Sequence, residues 1–581
     1  MSLGAARNAE RGAGARKKPA NLIYDVEDHP PLPVALVLAL QHVVVISVGW
    51  IFVVVIVSGF GGTAEQVQDV IRMAMIASGL ATIFQAMTKG PVGSCYLCPF
   101  SCGPAYIPAS ILAGKAGGLP LLMGMTTASG IFEMFLSRII HKLRVLFPPE
   151  VTGLVVAMVG IGLIRMGCTR FFGYNNGTLD EHSTIIALIT LIVMVSPTIW
   201  SQSKLRLYPV LLGLLAGYAA ALSFGLLKLS QFHVVFAAPL VSLPRRPAPS
   251  AWSFSVSLLG PFLIASLSSV LKSVGDLTLC QKINDTHWKR TDMKSVAGGI
   301  LAGSIGTTLS GLIGGVGQST FSSNVGLSMA TGVTSRAIAL PAGLILVALA
   351  FFPKLAAAFS VIPAPVIGAV LVYVACFMIL GGLQVMTSRM LDVRRTFAVG
   401  IAMIFGLSVD MVPGLYEHVP AVLQPLFSSE LSLATVLGVT LNLLFRIGVA
   451  KTQTMQLSPD SDNLDTILTF MEEQGGSWGM RKEVEERAAE AIYETVVSLR
   501  ELQVTSPVNV RVRFDEFKLE VDLAYEGNPI QLPEAPPTAE ELSNGERGIA
   551  MLSAYIIRQH ADQVKVSSAD GHSRIHLHFD H

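Results

Sequence analysis

Ser322-Ser323-Asn324-Val325-Gly326-Leu327-Ser328-Met329-Ala330-Thr331-Gly332 is the stretch whose reading decides the fold. It is polar and glycine-bearing, yet apolar runs flank it at 294–316 and 335–352. Unpaired backbone in lipid costs several kcal/mol per group. A broken segment at that depth is therefore expected to be buried in protein or to line a cavity. A second broken stretch, 103–113, is interrupted by Gly103, Pro104 and Pro108.

The rest of the chain supplies the membrane context. Of its 581 residues 51% are hydrophobic and only 14% charged, against about 25% charged in soluble domains. Apolar runs fall at 33–58, 66–88, 119–140, 150–168, 183–201, 207–229, 252–280, 294–316, 335–352, 355–382, 394–412 and 431–450. Runs of roughly 20 residues read as spanning helices, so the expected fold is an all-α polytopic membrane protein. The net charge of +1 gives no reason to expect a nucleic-acid partner. The first thirty residues are polar and basic (Arg7, Arg11, Arg16, Lys17, Lys18), and do not read as a cleavable leader. Cys95, Cys98 and Cys102 are clustered. With no fourth ligand nearby they read as a thiol-lined turn rather than a metal site.

With 103–113 and 319–332 counted, there are about fourteen segments, and the broken ones are third and tenth. That correspondence predicts a 7+7 inverted repeat, 33–229 and 252–450, joined by the polar stretch 230–251. Basic residues gather at even-numbered junctions, among them Arg138, Lys142, Arg144, Lys204, Arg206, Lys282, Lys289, Arg290, Arg336, Arg389, Arg394, Arg395 and Arg446. These junctions share the side of the N-terminus, so the positive-inside bias puts both termini in the cytoplasm of a multi-pass inner-membrane protein.

Several motifs in order carry a family resemblance. Asn324, Gly326, Thr331 and Gly332 fit Asn-x-Gly-x-x-x-x-Thr-[Arg/Lys/Gly]. Gln41-His42 stands in the first span and Gly103-Pro104-Ala105-Tyr106 in the third. Phe147-Pro148-Pro149-Glu150-Val151 precedes the fifth, and Ser273-Val274-Gly275-Asp276 lies in the eighth. Over residues 33–450 the chain resembles the nucleobase–ascorbate transporter family. The resemblance implies a core domain (segments one to four and eight to eleven), a gate domain, and a homodimer. It also places substrate between two short strands of segments three and ten. The site residues it implies are Gln41, His42, Ala105, Tyr106, Lys272, Asp276, Ser322, Ser323, Asn324, Gly326 and Thr331, with the Tyr106 ring packing against a flat heterocycle.

Two departures matter. Family members carry Glu where this chain has Lys272, and Gln or Glu where it has Ser323. Those side chains would bond the edge of the base, and the Glu would couple protons. Lys272 and Asp276 share one helical face at i, i+4. A lysine at membrane depth needs a partner, so they read either as a structural ion pair or as a cationic contact tempered by a carboxylate. The second reading favours an anionic or carbonyl-rich ligand such as urate or xanthinate over neutral uracil. The coupling proton then falls to Asp276, Lys272 or His42.

After about residue 455 the composition turns polar. Residues 481–500 read as an amphipathic helix with Val484, Ala488, Ala491, Ile492, Thr495 and Leu499 on one face. Strands are expected at 508–512, 519–523 and 574–578, with a helix at 546–560. This predicts a small cytoplasmic α/β domain, 455–581. Its motifs resemble the ATP-binding fold of anti-sigma-factor serine kinases and histidine kinases. Glu490 to Glu494 stands for Glu-x-x-x-Asn, Tyr525-Glu526-Gly527-Asn528-Pro529 for Asp-x-Gly-x-Pro, and Gly545-Glu546-Arg547-Gly548 for the second glycine motif. Glu494 and Tyr525 replace the magnesium-holding Asn and the adenine-reading Asp. The expectation is a degenerate regulatory domain that binds another protein or, weakly, a nucleotide, with no cofactor and no bound metal. His572, His576, His578 and His581 read as strand surface more than as a metal patch.

The reading is thus a secondary transporter of oxidised purines, not an enzyme, working by alternating access with an ion gradient. A transporter of uracil or ascorbate, and a non-transporting base sensor signalling through 455–581, are the alternatives.

Overall fold

The computed structural model describes residues 18–20, 22–143, 148–175, 177–200, 208–247, 252–286, 288, 291–387, 391–412, 414–420, 424–427, 429–446, 450–459, 464–515, 518–533, 546–569 and 571–580. Arg7, Arg11, Arg16, Lys17, Arg144, Phe147, Lys204, Arg206, Lys289, Arg290, Arg389, Gly545 and His581 lie outside them. The chain divides into two compact units, Met1–Asn442 and Leu443–His581.

The first unit is helical. Its elements are α1 (Leu32–Ile46), α2 (Trp50–Gly59), α3 (Ala64–Gln85), β1 (Phe100–Cys102), α4 (Ile107–Leu143), α5 (Pro149–Phe171), α6 (Glu181–Trp200), α7 (Pro209–Ser223) and α8 (His233–Ala237). There follow α9 (Leu259–Ile283), α10 (Met293–Ile313), β2 (Gln318–Thr320), α11 (Ser322–Thr331), α12 (Ala339–Leu349), α13 (Pro353–Ser360), α14 (Ala364–Met386), α15 (Val393–Met411) and α16 (Gln424–Phe427). A helix α17 (Glu430–Phe445) ends the series. Among the described residues, eight helical stretches are long and apolar enough to cross a membrane, or nine if the bent pair of α12, with its lead-in from Arg336, and α13 is one span.

Small residues set the helix crossings. Gly153, Gly160 and Gly167 of α5 lie against Gly382, Ile379 and Val372 of α14, an antiparallel pair in near-backbone contact. Gly79 of α3 meets Gly343 of α12, and Gly130 of α4 meets Thr308 of α10. Lipid supplies no hydrophobic drive between helices, so close backbone packing of this kind holds them.

The broken segments differ from expectation in where they break. Each opens with a strand lying before the expected helix: β1 and β2 pair antiparallel, Phe100 opposite Thr320 and Cys102 opposite Gln318. After β1, Pro104–Tyr106 forms a 3-10 turn. Helix α4 then runs on past 113, bent only at Gly117 and Gly118, where φ is 65° at Gly118. Proline at the first position of a helix is tolerated because its missing N–H has no intrahelical partner, so Pro104 starts the turn rather than breaking a span. After β2, α11 is regular helix to Thr331 and is capped by Gly332 at φ 68°. The expected run 355–382 also divides. Pro353 starts α13, which turns 77° from the preceding helix, and Pro363 and Pro365 start α14.

The second unit is a five-stranded antiparallel sheet of order β3-β4-β5-β7-β6, with helices packed on one face. The strands are β3 (Lys451–Leu457), β4 (Val508–Phe514), β5 (Lys518–Glu526), β6 (Gln563–Ala569) and β7 (His572–Asp580); the helices are α18 (Leu464–Trp478), α19 (Lys482–Glu501) and α20 (Glu546–His560). The six apolar-face positions expected on α19 are all buried, and alternate residues of β4 and β7 are buried with them. Sequence reading missed β3, α18 and β6. Lys451–Leu457 is a polar edge strand with one buried end, so it carries little of the alternation that marks a strand.

Candidate functional site

The paired strands anchor a cavity of about 390 Å³ in the first unit. One wall is Phe321, which follows β2, and α11: Ser322, Ser323, Gly326, Leu327 and Ala330. Pro104 lines it after β1, and Val44, Val45, Val48 and Phe52 line it from α1, α2 and the turn between them. Lys272 enters from α9. The opposite wall is Thr198 of α6, Tyr208 to Leu211 at the start of α7, and Tyr373, Val374, Phe377 and Met378 of α14.

Among the described residues, Lys272 is the only charged one in this lining. Its Nζ donates to Asp276 Oδ2 at 3.0 Å and to the Thr320 carbonyl of β2 at 2.5 Å. Asp276 also accepts the Thr320 hydroxyl at 2.6 Å. The ion pair and strand β2 are thus one unit, and helix α9 holds the strand in place. An ammonium has three donors, and these two bonds leave one for the cavity.

The start of α11 is the second source of positive potential. A helix's first N–H groups have no intrahelical acceptor and carry a partial positive charge. Its N-cap, Phe321, makes no side-chain cap, while the first two residues, Ser322 and Ser323, are exposed in the cavity wall. Gly326 one turn later has nothing within 4 Å of where a Cβ would stand. Its absent side chain therefore leaves room in the cavity and is not needed for helix packing.

Several expected ligand residues sit elsewhere. Asn324 is fully buried, and its Oδ1 lies 2.8 Å from His42 Nδ1. That bond ties α1 to α11. The Asn324 Nδ2 has no partner among the described residues. Thr331 returns its hydroxyl to the Leu327 carbonyl at 2.8 Å, a helix back-bond next to the Gly332 cap. Gln41 is half-buried on α1 and is not part of the lining.

Ala105 and Tyr106 are buried and outside the lining, so Tyr106 is not the aromatic platform expected from the sequence. Its ring lies over Gly317, where a Cβ would come within 2.5 Å of it, and its hydroxyl donates to Glu133 at 2.5 Å. The aromatic surface of the cavity comes instead from Phe52, Phe321, Tyr208, Tyr373 and Phe377. Phe321 adjoins the serines of the quoted stretch and was legible. The α6, α7 and α14 residues meet the site only through packing.

The family model described as the Permease family, of xanthine and uracil type, matches residues 34–415. The chain belongs to this permease family. It is a multi-pass membrane permease of nucleobase type, a transporter and not an enzyme. The permease is 30% identical over 427 residues to a Clostridium perfringens protein assigned as a purine permease, covering 73% of this chain and 92% of that one. It is 27% identical to the xanthine permease XanP of Escherichia coli, over 77% of this chain and 99% of that one. It is 28% identical to the uric acid permease PucJ of Bacillus subtilis, over 72% and 94%. Among solved structures, a murine solute carrier 26 anion transporter, Slc26a9, matches at 12% identity over 85% of this chain and 90% of that one, with a TM-score of 0.48.

In the second unit the nucleotide-like motifs are engaged internally. Glu490 pairs with His560 Nδ1 at 3.0 Å, while Glu494 is half-buried on α19. The Tyr525 hydroxyl donates to the Asn528 carbonyl at 3.1 Å and accepts the Ile530 amide at 3.2 Å. Burial pushes that hydroxyl's pKa up from its ordinary value. Gly527, at φ 144°, donates its amide to the Gly571 carbonyl, and Gly548 lies in α20. His576 faces Asp522 at 3.0 Å and His578 faces Asp580 at 3.4 Å. No three metal-ligating side chains gather among the described residues.

Proposed function

We propose that this permease moves oxidised purines, xanthine or urate, by alternating access coupled to an ion gradient. The observation that carries this reading is the Lys272 ammonium and the α11 N-terminus opening on one small, otherwise apolar cavity. Two positive sources there suit the carbonyl-rich or anionic edge of an oxidised purine, and the aromatic walls suit its ring. The relatives named above for xanthine and uric acid support the same class. Lys272, Ser322, Ser323 and Gly326 contact substrate in this reading. Asp276 and Asn324 hold the contacting segments, and His42 braces Asn324.

A 7+7 inverted repeat is part of the proposal, with 33–229 and 252–450 as its halves and 230–251 between them. Support comes from the close contacts. Segments three and ten pair as strands, and five and twelve pair as helices. The contact of two with eleven has its counterpart in that of nine with four. Each contact maps onto another, or onto itself, when seven is added or subtracted. Both termini would be cytoplasmic, the permease would dimerise as its family implies, and 455–581 would be a degenerate kinase-type domain that binds a protein partner. Helix α19, strands β4 and β5, helix α20 and strand β7 follow one another in the order read from the sequence.

The test is radiolabelled uptake of a base panel in cells lacking their own permeases, with the intact chain and Lys272→Glu. Xanthine and urate should compete best for the intact chain, and Lys272→Glu should shift preference toward neutral bases. An unchanged competition profile would count against the site. Binding without uptake, altered by deleting 455–581, would favour the sensor reading.

A further inference from the structure

Outside the cavity lining, helix α4 buries a carboxyl, Glu133. Two other buried carboxylates of the first unit have a basic partner, Asp276 with Lys272 at 3.0 Å and Glu150 with Arg395 at 3.0 Å, while a third, Glu430 of α17, lies near both Arg165 and Asp410. Glu133 is 3% exposed, and its neighbours are hydroxyls. Tyr106 donates to its Oε1 at 2.5 Å, and Ser269 and Thr307 also face it. Among the described residues no basic side chain pairs with it. We infer that Glu133 holds the coupling proton of this permease, in place of the eighth-segment position that Lys272 occupies. This rests on the transport reading given above.

The chemistry follows from the shell. A carboxylate paired with lysine is locked in its ionised form, because an ammonium can only donate. A hydroxyl can donate to a carboxylate or accept from a carboxylic acid, so a shell of hydroxyls serves both states of Glu133. An isolated ionisable group at membrane depth is costly to keep and is a functional candidate by default. When the Glu133 carboxylate takes a proton, the Tyr106 hydroxyl has a second acceptor in Ser266 Oγ at 3.3 Å. The new O–H bond forms on the carboxyl, the proton comes from the aqueous side, and no other bond breaks.

Position links that event to the cavity. Tyr106 ends the turn whose first residue, Pro104, lines the cavity. Ser269 donates to the Gln318 carbonyl of β2 at 3.2 Å and lies one helical turn before Lys272 on α9. A change at Glu133 therefore reaches the turn after β1 through its bond to Tyr106, and β2 through Ser269. Of the groups facing it, Tyr106 comes from the turn, Ser266 and Ser269 from α9, and Thr307 from α10. Tyr106 alone is titratable, and Lys272 with Asp276 is the charged pair further along α9.

The experiment uses the full chain in proteoliposomes with radiolabelled xanthine. Wild-type counterflow, an exchange without a gradient, is the control on the transport reading; its absence overturns that reading itself. Glu133→Gln is expected to retain counterflow within about three-fold. It should lose accumulation driven by an imposed pH gradient, and its substrate-induced proton uptake, read by an entrapped pH dye, should fall to background. Gradient-driven accumulation at the wild-type level in Glu133→Gln overturns the inference. If Glu133→Gln does not fold, Tyr106→Phe decides. It should move the pH of half-maximal uptake by about one unit, as expected when a hydrogen bond to a titrating carboxyl is removed. An unmoved midpoint overturns the inference.

Discussion

The two strand-bearing segments are built alike and used differently. In the first half, β1 leads through Pro104–Tyr106 into α4, and the only cavity contact it makes is Pro104. Its polar groups turn inward, Tyr106 to Glu133 and Ser101 to the Ile46 carbonyl. In the second half, β2 leads straight into α11, which puts Ser322, Ser323 and Gly326 into the cavity wall. One segment therefore presents groups to the cavity, while the other holds a buried carboxyl network against the same strand pair. A related sequence pattern in two places does not give two equal half-sites.

Substitutions can break or sharpen that contrast. The largest effect is expected from Lys272→Glu. It reverses the charge that Lys272 brings to the lining and puts a second carboxylate beside Asp276, so xanthine uptake should fall by about 100-fold or more. Transport assays on purified chain would measure this. Next come two glycines. Gly326→Val fills open cavity space and should raise the KM for uptake about ten-fold while leaving thermal stability near wild type. Gly317→Ala drives a methyl to within 2.5 Å of the Tyr106 ring and should destabilise by about 1–3 kcal/mol, as overpacking does, seen as a lower Tm in detergent. If both behaved as cavity variants, the contrast between the halves would fail.

Asn324→Ala removes the contact with His42 that joins α1 to α11. Leaving a buried imidazole unpaired costs about 1–3 kcal/mol, so the loss should appear mainly as stability, and His42→Ala should not add to it in a double-mutant cycle. Thr331→Ala is expected to be the mildest. Its hydroxyl only back-bonds within α11, so uptake should stay within about two-fold of wild type. A large loss would mean that Thr331 meets substrate in another state of the transport cycle.

Sequence alone determined the membrane class, the two broken segments, the anomalous Lys272–Asp276 pair and the family, because hydropathy, helix breakers and i, i+4 spacing are local properties of a chain. It also located α19 and α20, whose apolar faces repeat within a few residues. Only the tertiary structure decided that Phe100–Cys102 meets Gln318–Thr320, that Tyr106 faces Glu133 instead of the cavity, and that Tyr373 and Phe377 of α14 close the opposite wall. The strand pairing joins residues more than two hundred apart in the chain, and the other two outcomes depend on which face of each helix its neighbours cover. A hydroxyl or an aromatic ring carries no mark of that choice in the order of residues around it.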